Sequence, residues 1–251
     1  MMVGRLSTDV EAIDDLLEGG LARGEVTAIA SRPGMGKTMG LLSIAVKAGV
    51  DSVLYAPSLG YPDAKDRVAK ICQGLGVAGE ATYDLTPGLW LSIQLPGHKM
   101  LVAGRAAGAT ANGKTMLANM EAMLEAGSAS IVMLDAPCKK MKAREEKEFM
   151  GQLAKMARRY CAPVVVSTML RLDPVVSAPT ISDVNEAVAD VAADVIWVSG
   201  WPKIVREDEK FEIGVLSDDD HDGEWESRTT ELTLHGTVGS RQQLKISYKR
   251  Q

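Results

Sequence analysis

Residues 25–38, EVTAIASRPGMGKT, decide the fold. Glu25-Val-Thr-Ala-Ile-Ala30 is a short apolar run that reads as a buried strand. Ser31-Arg32-Pro33-Gly34-Met35-Gly36-Lys37-Thr38 is a glycine-bearing loop. An apolar stretch to about Lys47 then reads as a helix. A strand, such a loop and a helix N-terminus together surround phosphates with backbone N–H groups. The lysine reaches the outer phosphates and the hydroxyl after it takes Mg²⁺. The loop therefore predicts ATP as ligand, held by residues 31–38, with Mg²⁺ on Thr38.

A second stretch competes. Gly108-Ala-Thr-Ala-Asn-Gly-Lys-Thr115 matches the phosphate-loop pattern GxxxxGK[ST] in full, whereas Ser31 stands where the first glycine belongs. Its approach, Lys99 to Ala107, reads as a weaker and interrupted strand. The setting of 31–38 is cleaner, so the better-spelled rival is read as an ordinary loop and helix start.

Outward from the loop, strands and helices alternate. Residues 9–18 have helical spacing and stop at Gly19-Gly20. Helices are predicted near 63–74, 114–126 and 143–160. Strands are predicted at 53–55, around Pro96-Gly97, at 131–134, 164–166 and 195–198, and from 209 onward. This alternation implies βαβ units, a mainly parallel sheet with helices on both faces, and ligands at the carboxyl ends of the strands. The run 217–223, with four aspartates, reads as a solvated loop.

Composition sets outer limits. A chain of 251 residues can bury a core without disulfide or metal staples. Cys72, Cys138 and Cys161 are scattered, which argues against zinc and fits a reducing, cytoplasmic setting. No run approaches the roughly 20 apolar residues of a membrane-spanning helix. A net charge of −5 argues against a globally basic nucleic-acid binder but leaves room for a local basic patch.

The stretch 7–38, STDVEAIDDLLEGGLARGEVTAIASRPGMGKT, resembles the start of the ATPase domain of DnaB-type replicative helicases. In that family the first loop position is commonly not glycine, which accounts for Ser31. The likeness continues at 131–137 (IVMLDAP), at 161–171 (CAPVVVSTMLR) and at 182–196 (SDVNEAVADVAADVI). It implies a RecA-like P-loop α/β fold with a C-terminal β-rich tail. The unit is read as one domain over 1–251: an N-terminal helix and arm at 1–24, a core at 25–200, and strands with an acidic loop at 201–251. The family's N-terminal domain has no counterpart in these residues. The resemblance makes Asp135 the strand-end carboxylate of the Mg²⁺ shell, alongside Thr38.

Three positions depart from the family. Its catalytic glutamate follows the second strand, where this chain has Ser58-Leu-Gly60-Tyr-Pro62. Asp63 is the nearest carboxylate, and it also suits a helix start. The family's sensor glutamine is Thr168 here. The cations that family members lend to a neighbouring subunit fall on the acidic 217–223 run. Lys249 and Arg250, with Arg250 acting in trans, are the alternative source, and Arg228 is another. Turnover needs a group that positions water and a cation that offsets transition-state charge. Together the departures point to ATP binding with impaired hydrolysis.

Lys139, Lys140, Lys142 and Arg144 follow Asp135 closely. A basic run there suits the backbone of single-stranded DNA. Glu145, Glu146 and Glu148 offer the opposing reading, a solvated helix start with helical ion pairs. The resemblance implies a DNA helicase or DNA-dependent ATPase of replication, oligomeric and even a hexameric ring, with a replication protein as a further partner and no membrane. The departures imply, instead, an assembly or loading factor for a helicase or recombinase. A recombinase paralogue or KaiC-type ATPase is a third reading, against which the 182–196 segment speaks.

Overall fold

The computed structural model describes residues 4–34, 36–75, 82–86, 90–104, 113–137, 141–171, 179–198, 209–218, 225–235 and 245–248. The chain opens with an antiparallel pair, β1 (Arg5–Leu6) and β2 (Leu21–Ala22), bracketing helix α1 (Glu11–Leu16). The Asp14 carboxylate folds this segment by accepting from the Ser7 and Thr8 hydroxyls and from the N–H groups of Thr8 and Asp9. Gly20 lets the pair close. Its φ is +109°, and a Cβ there would sit 2.2 Å from the Leu6 carbonyl oxygen.

The alternation read from the sequence follows. β3 (Val26–Ser31) leads to α2 (Lys37–Lys47), β4 (Ser52–Tyr55) to α3 (Tyr61–Leu75). β5 (Thr82–Thr86), β6 (Trp90–Leu95) and β7 (His98–Ala103) form an antiparallel meander, with Gly97 at φ +83° in the two-residue turn between β6 and β7. Then come α4 (Gly113–Glu125), β8 (Ile131–Leu134), α5 (Ala143–Tyr160), β9 (Val164–Met169), α6 (Glu186–Ala189) and β10 (Ala192–Val198). Three antiparallel strands finish the chain: β11 (Glu209–Ser217), β12 (Glu226–His235) and β13 (Lys245–Tyr248).

Among the described residues, eleven strands make one sheet, in the order β13-β12-β11-β10-β3-β9-β8-β4-β7-β6-β5. The six from β10 to β7 are mutually parallel. They are buried on both faces, so they read as near-continuous apolar runs. One face packs Leu16, Leu41, Leu42, Ile44, Val68 and Ile71 of α1–α3 against Ile29, Met133 and Val165. The other packs α4, α5 and α6 against Ala28, Ala30, Leu134, Val164 and Val166. This is a helix–sheet–helix sandwich with the strand ends of β3, β4, β8 and β9 at one edge.

One expectation changes. The 217–223 run is not simply solvated. Ser217 and Asp218 are buried, and the Asp218 N–H donates to the Ala193 carbonyl; residues 219–223 lie outside the described residues. In the approach to the rival loop, 98–103 form the regular strand β7 and α4 starts at Gly113, while Ala106 and Ala107, where the interruption was expected, lie outside the described residues. Among the described residues, no helix is long and apolar enough to cross a membrane.

Candidate functional site

β3 delivers Ser31, fully buried, to the sheet edge. Ser31 is still in extended backbone, paired in register with Met169, so no glycine is required there. The left-handed positions come later, at Gly34 (φ +80°) and Gly36 (φ +86°), and a Cβ at either would meet nothing within 4 Å. Those glycines open the loop backbone toward empty space. Gly36 is the N-cap of α2, so the orphan N–H groups of the first turn face the same space.

Lys37 closes over the loop. Its Nζ donates to the carbonyls of Ser31 and Arg32, each at 2.9 Å. Burial pushes the ammonium's pKa down, and the Asp135 charge pushes it partly back. Arg32 is half-buried, Pro33 is exposed, and Met35 lies outside the described residues.

Asp135 stands just beyond β8 and is 5% exposed. Its Oδ2 accepts the Thr38 hydroxyl at 2.7 Å, and its Oδ1 accepts the Ser167 hydroxyl at 2.7 Å. The Ala136 N–H in turn donates to Ser167 Oγ at 2.8 Å, with Ala136 in the left-handed region at φ +49°. Since β9 lies between β3 and β8, this bridge joins the loop helix to a strand two places away.

The arrangement suits a magnesium–nucleotide. Thr38 commits its proton to Asp135, which leaves its oxygen lone pairs for a cation. Mg²⁺ is commonly held by one or two protein oxygens, with water and phosphate completing its shell. Among the described residues no cluster of three or more His, Cys, Asp or Glu could hold a metal alone.

The other predicted positions are less assembled. Strand alternation turns Ser167 to the face of Val165, toward α2, and Thr168 to the face of Val164 and Val166. Thr168 was the residue expected from the sequence, and Ser167 beside it is the one that bonds Asp135. The parity of VVVST, counted from the loop-side face, was the available signal. Asp63 is exposed in the first turn of α3. Lys142 and Arg144 are exposed at the start of α5, and neither is in an ion pair among the described residues. Glu145 instead accepts from the Lys142 N–H, and Lys147 reaches Glu186 and Asp190. Arg228 is engaged within its own chain by Glu18 and Ser217. Lys139, Lys140, Lys249 and Arg250 lie outside the described residues.

The rival 108–115 loop also lies between a strand and a helix, although residues 105–112 are outside the described residues. Setting alone therefore does not separate the two loops. What the structure adds for 31–38 is a carboxylate, because Asp135 is already bonded to Thr38. Gly113 is packed tightly, and a Cβ there would lie 2.8 Å from the Phe149 ring.

No family model matches the chain. It is 28% identical over 187 residues to the DNA repair and recombination protein RadB of Methanoculleus marisnigri, covering 69% of this chain and 74% of that protein. Its structure is similar to the crystal structure of a KaiC-like protein from the hyperthermophilic archaeon Pyrococcus horikoshii. The TM-score is 0.59 at 13% identity, over 98% of this chain and 99% of that one. The fold is RecA-like, that of a P-loop ATPase domain. These comparisons do not support the narrower likeness to replicative helicases.

Proposed function

We propose that this chain binds ATP with Mg²⁺ and acts on DNA in recombination or repair, as a RecA-like protein of the recombinase-paralogue type. One observation carries the nucleotide half: the Thr38–Asp135 hydrogen bond beside a lysine-bearing loop. The similarity to a recombination protein supports the other half. The unit is the whole of 1–251 as one domain, since the tail strands extend the core sheet.

In this reading the N–H groups from Gly34 to Thr38 receive the phosphates, and Lys37 leaves its own carbonyls to neutralise them. Ser31, Arg32, Pro33 and Met35 shape the loop. Thr38 and Asp135 hold Mg²⁺. The nucleotide supplies a phosphoanhydride bond. Asp63 is the nearest carboxylate offered by the segment after β4, and it occupies a helix start, so turnover is slow. Thr168 and a trans cation from Arg250 are secondary contributors. Lys139, Lys140, Lys142 and Arg144 contact single-stranded DNA, and self-association completes the working form.

The test is a nucleotide titration with and without Mg²⁺, run beside single-stranded DNA binding and turnover assays. Magnesium-dependent ATP binding, salt-sensitive DNA binding and slow turnover are expected. Absence of ATP binding refutes the nucleotide half. Robust strand unwinding would restore the helicase reading in its place.

A further inference from the structure

We infer that Ser167 is a positioning residue for the magnesium–nucleotide site, an inference that rests on the reading of that site just proposed. Its hydroxyl is buried and has two fixed relations. It accepts the Ala136 N–H at 2.8 Å, so a lone pair is occupied from that side. Its single proton then goes to Asp135 Oδ1 at 2.7 Å, since an ionised carboxylate only accepts. Ala136 follows Asp135 directly, so Asp135, Ala136 and Ser167 form a small closed ring of contacts across β8 and β9.

That ring sets the plane of the carboxylate. With Oδ1 committed to Ser167, Oδ2 is the oxygen presented to Thr38. Thr38 must donate to it, and the hydroxyl oxygen keeps its lone pairs toward the loop. Ser167 therefore acts on the cation through Asp135 and Thr38, without touching nucleotide. The left-handed backbone of Ala136 belongs to the same device, because it turns the N–H back toward Ser167. Removing the hydroxyl orphans the Ala136 N–H and frees the carboxylate to rotate.

The experiment titrates a fluorescent ATP analogue into wild type, Ser167→Ala, Ser167→Thr and Ser167→Cys, each with Mg²⁺ and with EDTA. Residues that orient metal ligands typically change metal affinity about 10-fold to 100-fold. Ser167→Ala is expected to lose about 10-fold of the magnesium-dependent gain and to match wild type in EDTA. Ser167→Thr keeps the hydroxyl and is expected to retain the gain. Ser167→Cys, a weaker donor, is expected to fall between, and it carries the readout if the alanine variant does not fold.

An unchanged magnesium gain in Ser167→Ala and Ser167→Cys overturns the inference. So does an equal loss in both arms, which marks a merely structural role. Wild type that binds no nucleotide in either arm overturns the site reading itself, and the inference with it.

Discussion

Half-buried and donating to two carbonyls of its own loop, Lys37 carries a positive charge where water is scarce. Its pKa is lowered, chiefly by burial, so the unfolded chain binds more protons than the folded one as pH climbs toward the free-lysine range. Stability attributable to this group therefore rises with pH. Lys37→Met removes the charge. It is expected to abolish magnesium–ATP binding, with a melting temperature at pH 7 at or above that of wild type. That stability gap should narrow by pH 10, and a widening gap in a melting series would contradict it. The meeting of Thr38 with Asp135 was legible in the sequence, from the spelling of the loop and from the family resemblance at 131–137. The Ser167–Asp135 bond was not, because it depends on which face of β9 Ser167 occupies, and a family-based reading favoured its neighbour Thr168.

At the scale of elements, β10 and β11 are held by a fit between one large and several small residues. The Trp197 ring, fully buried, lies over Gly214 on the paired strand and beside Ala30 on β3. A Cβ at Gly214 would come within 2.4 Å of that ring. Gly214→Ala is expected to lower unfolding free energy by about 1–3 kcal/mol, measured by denaturant titration. The long strands and helices of the core were readable because apolar period and turn residues agreed. β1 and β2 were not, since two residues carry no period. The pairing order was also beyond local reading, because it depends on crossovers between distant segments. The rival loop shows the same limit. Both stretches have a strand before and a helix after, and the Thr38–Asp135 bond, made across 97 residues, is visible only in the tertiary placement.

For the whole molecule, the exposed cations at the start of α5 are the side chains proposed to meet the backbone of single-stranded DNA. Each phosphate contact to a single strand contributes a slope of about −0.7 in log K against log salt. Lys142→Ala with Arg144→Ala is expected to weaken single-stranded DNA binding and flatten that slope by about 1.4. A slope equal to wild type would mean these two side chains stay in solvent. Arg228 tests the opposite relation. Its bonds to Glu18 and Ser217 are made within one chain, so Arg228→Ala is expected to cost about 1 kcal/mol of stability. Any turnover per folded molecule should stay at the wild-type rate; loss of turnover with stability intact would make it a cation lent to a neighbour.

The Glu18–Arg228 contact joins positions 210 residues apart. Arg5 also reaches Asp194 at 3.5 Å, and the apolar side of α1 shares its layer with Ile213 and Val215 of β11. At ribosomal speeds of roughly 5–20 residues per second, 210 residues take on the order of 10 to 40 s to make. The α1 segment must therefore wait that long, its Leu16 and Leu17 without their full cover, for β11 and β12. Until β11 and β12 arrive, the growing chain carries apolar surface of the kind that makes incomplete chains prone to aggregate.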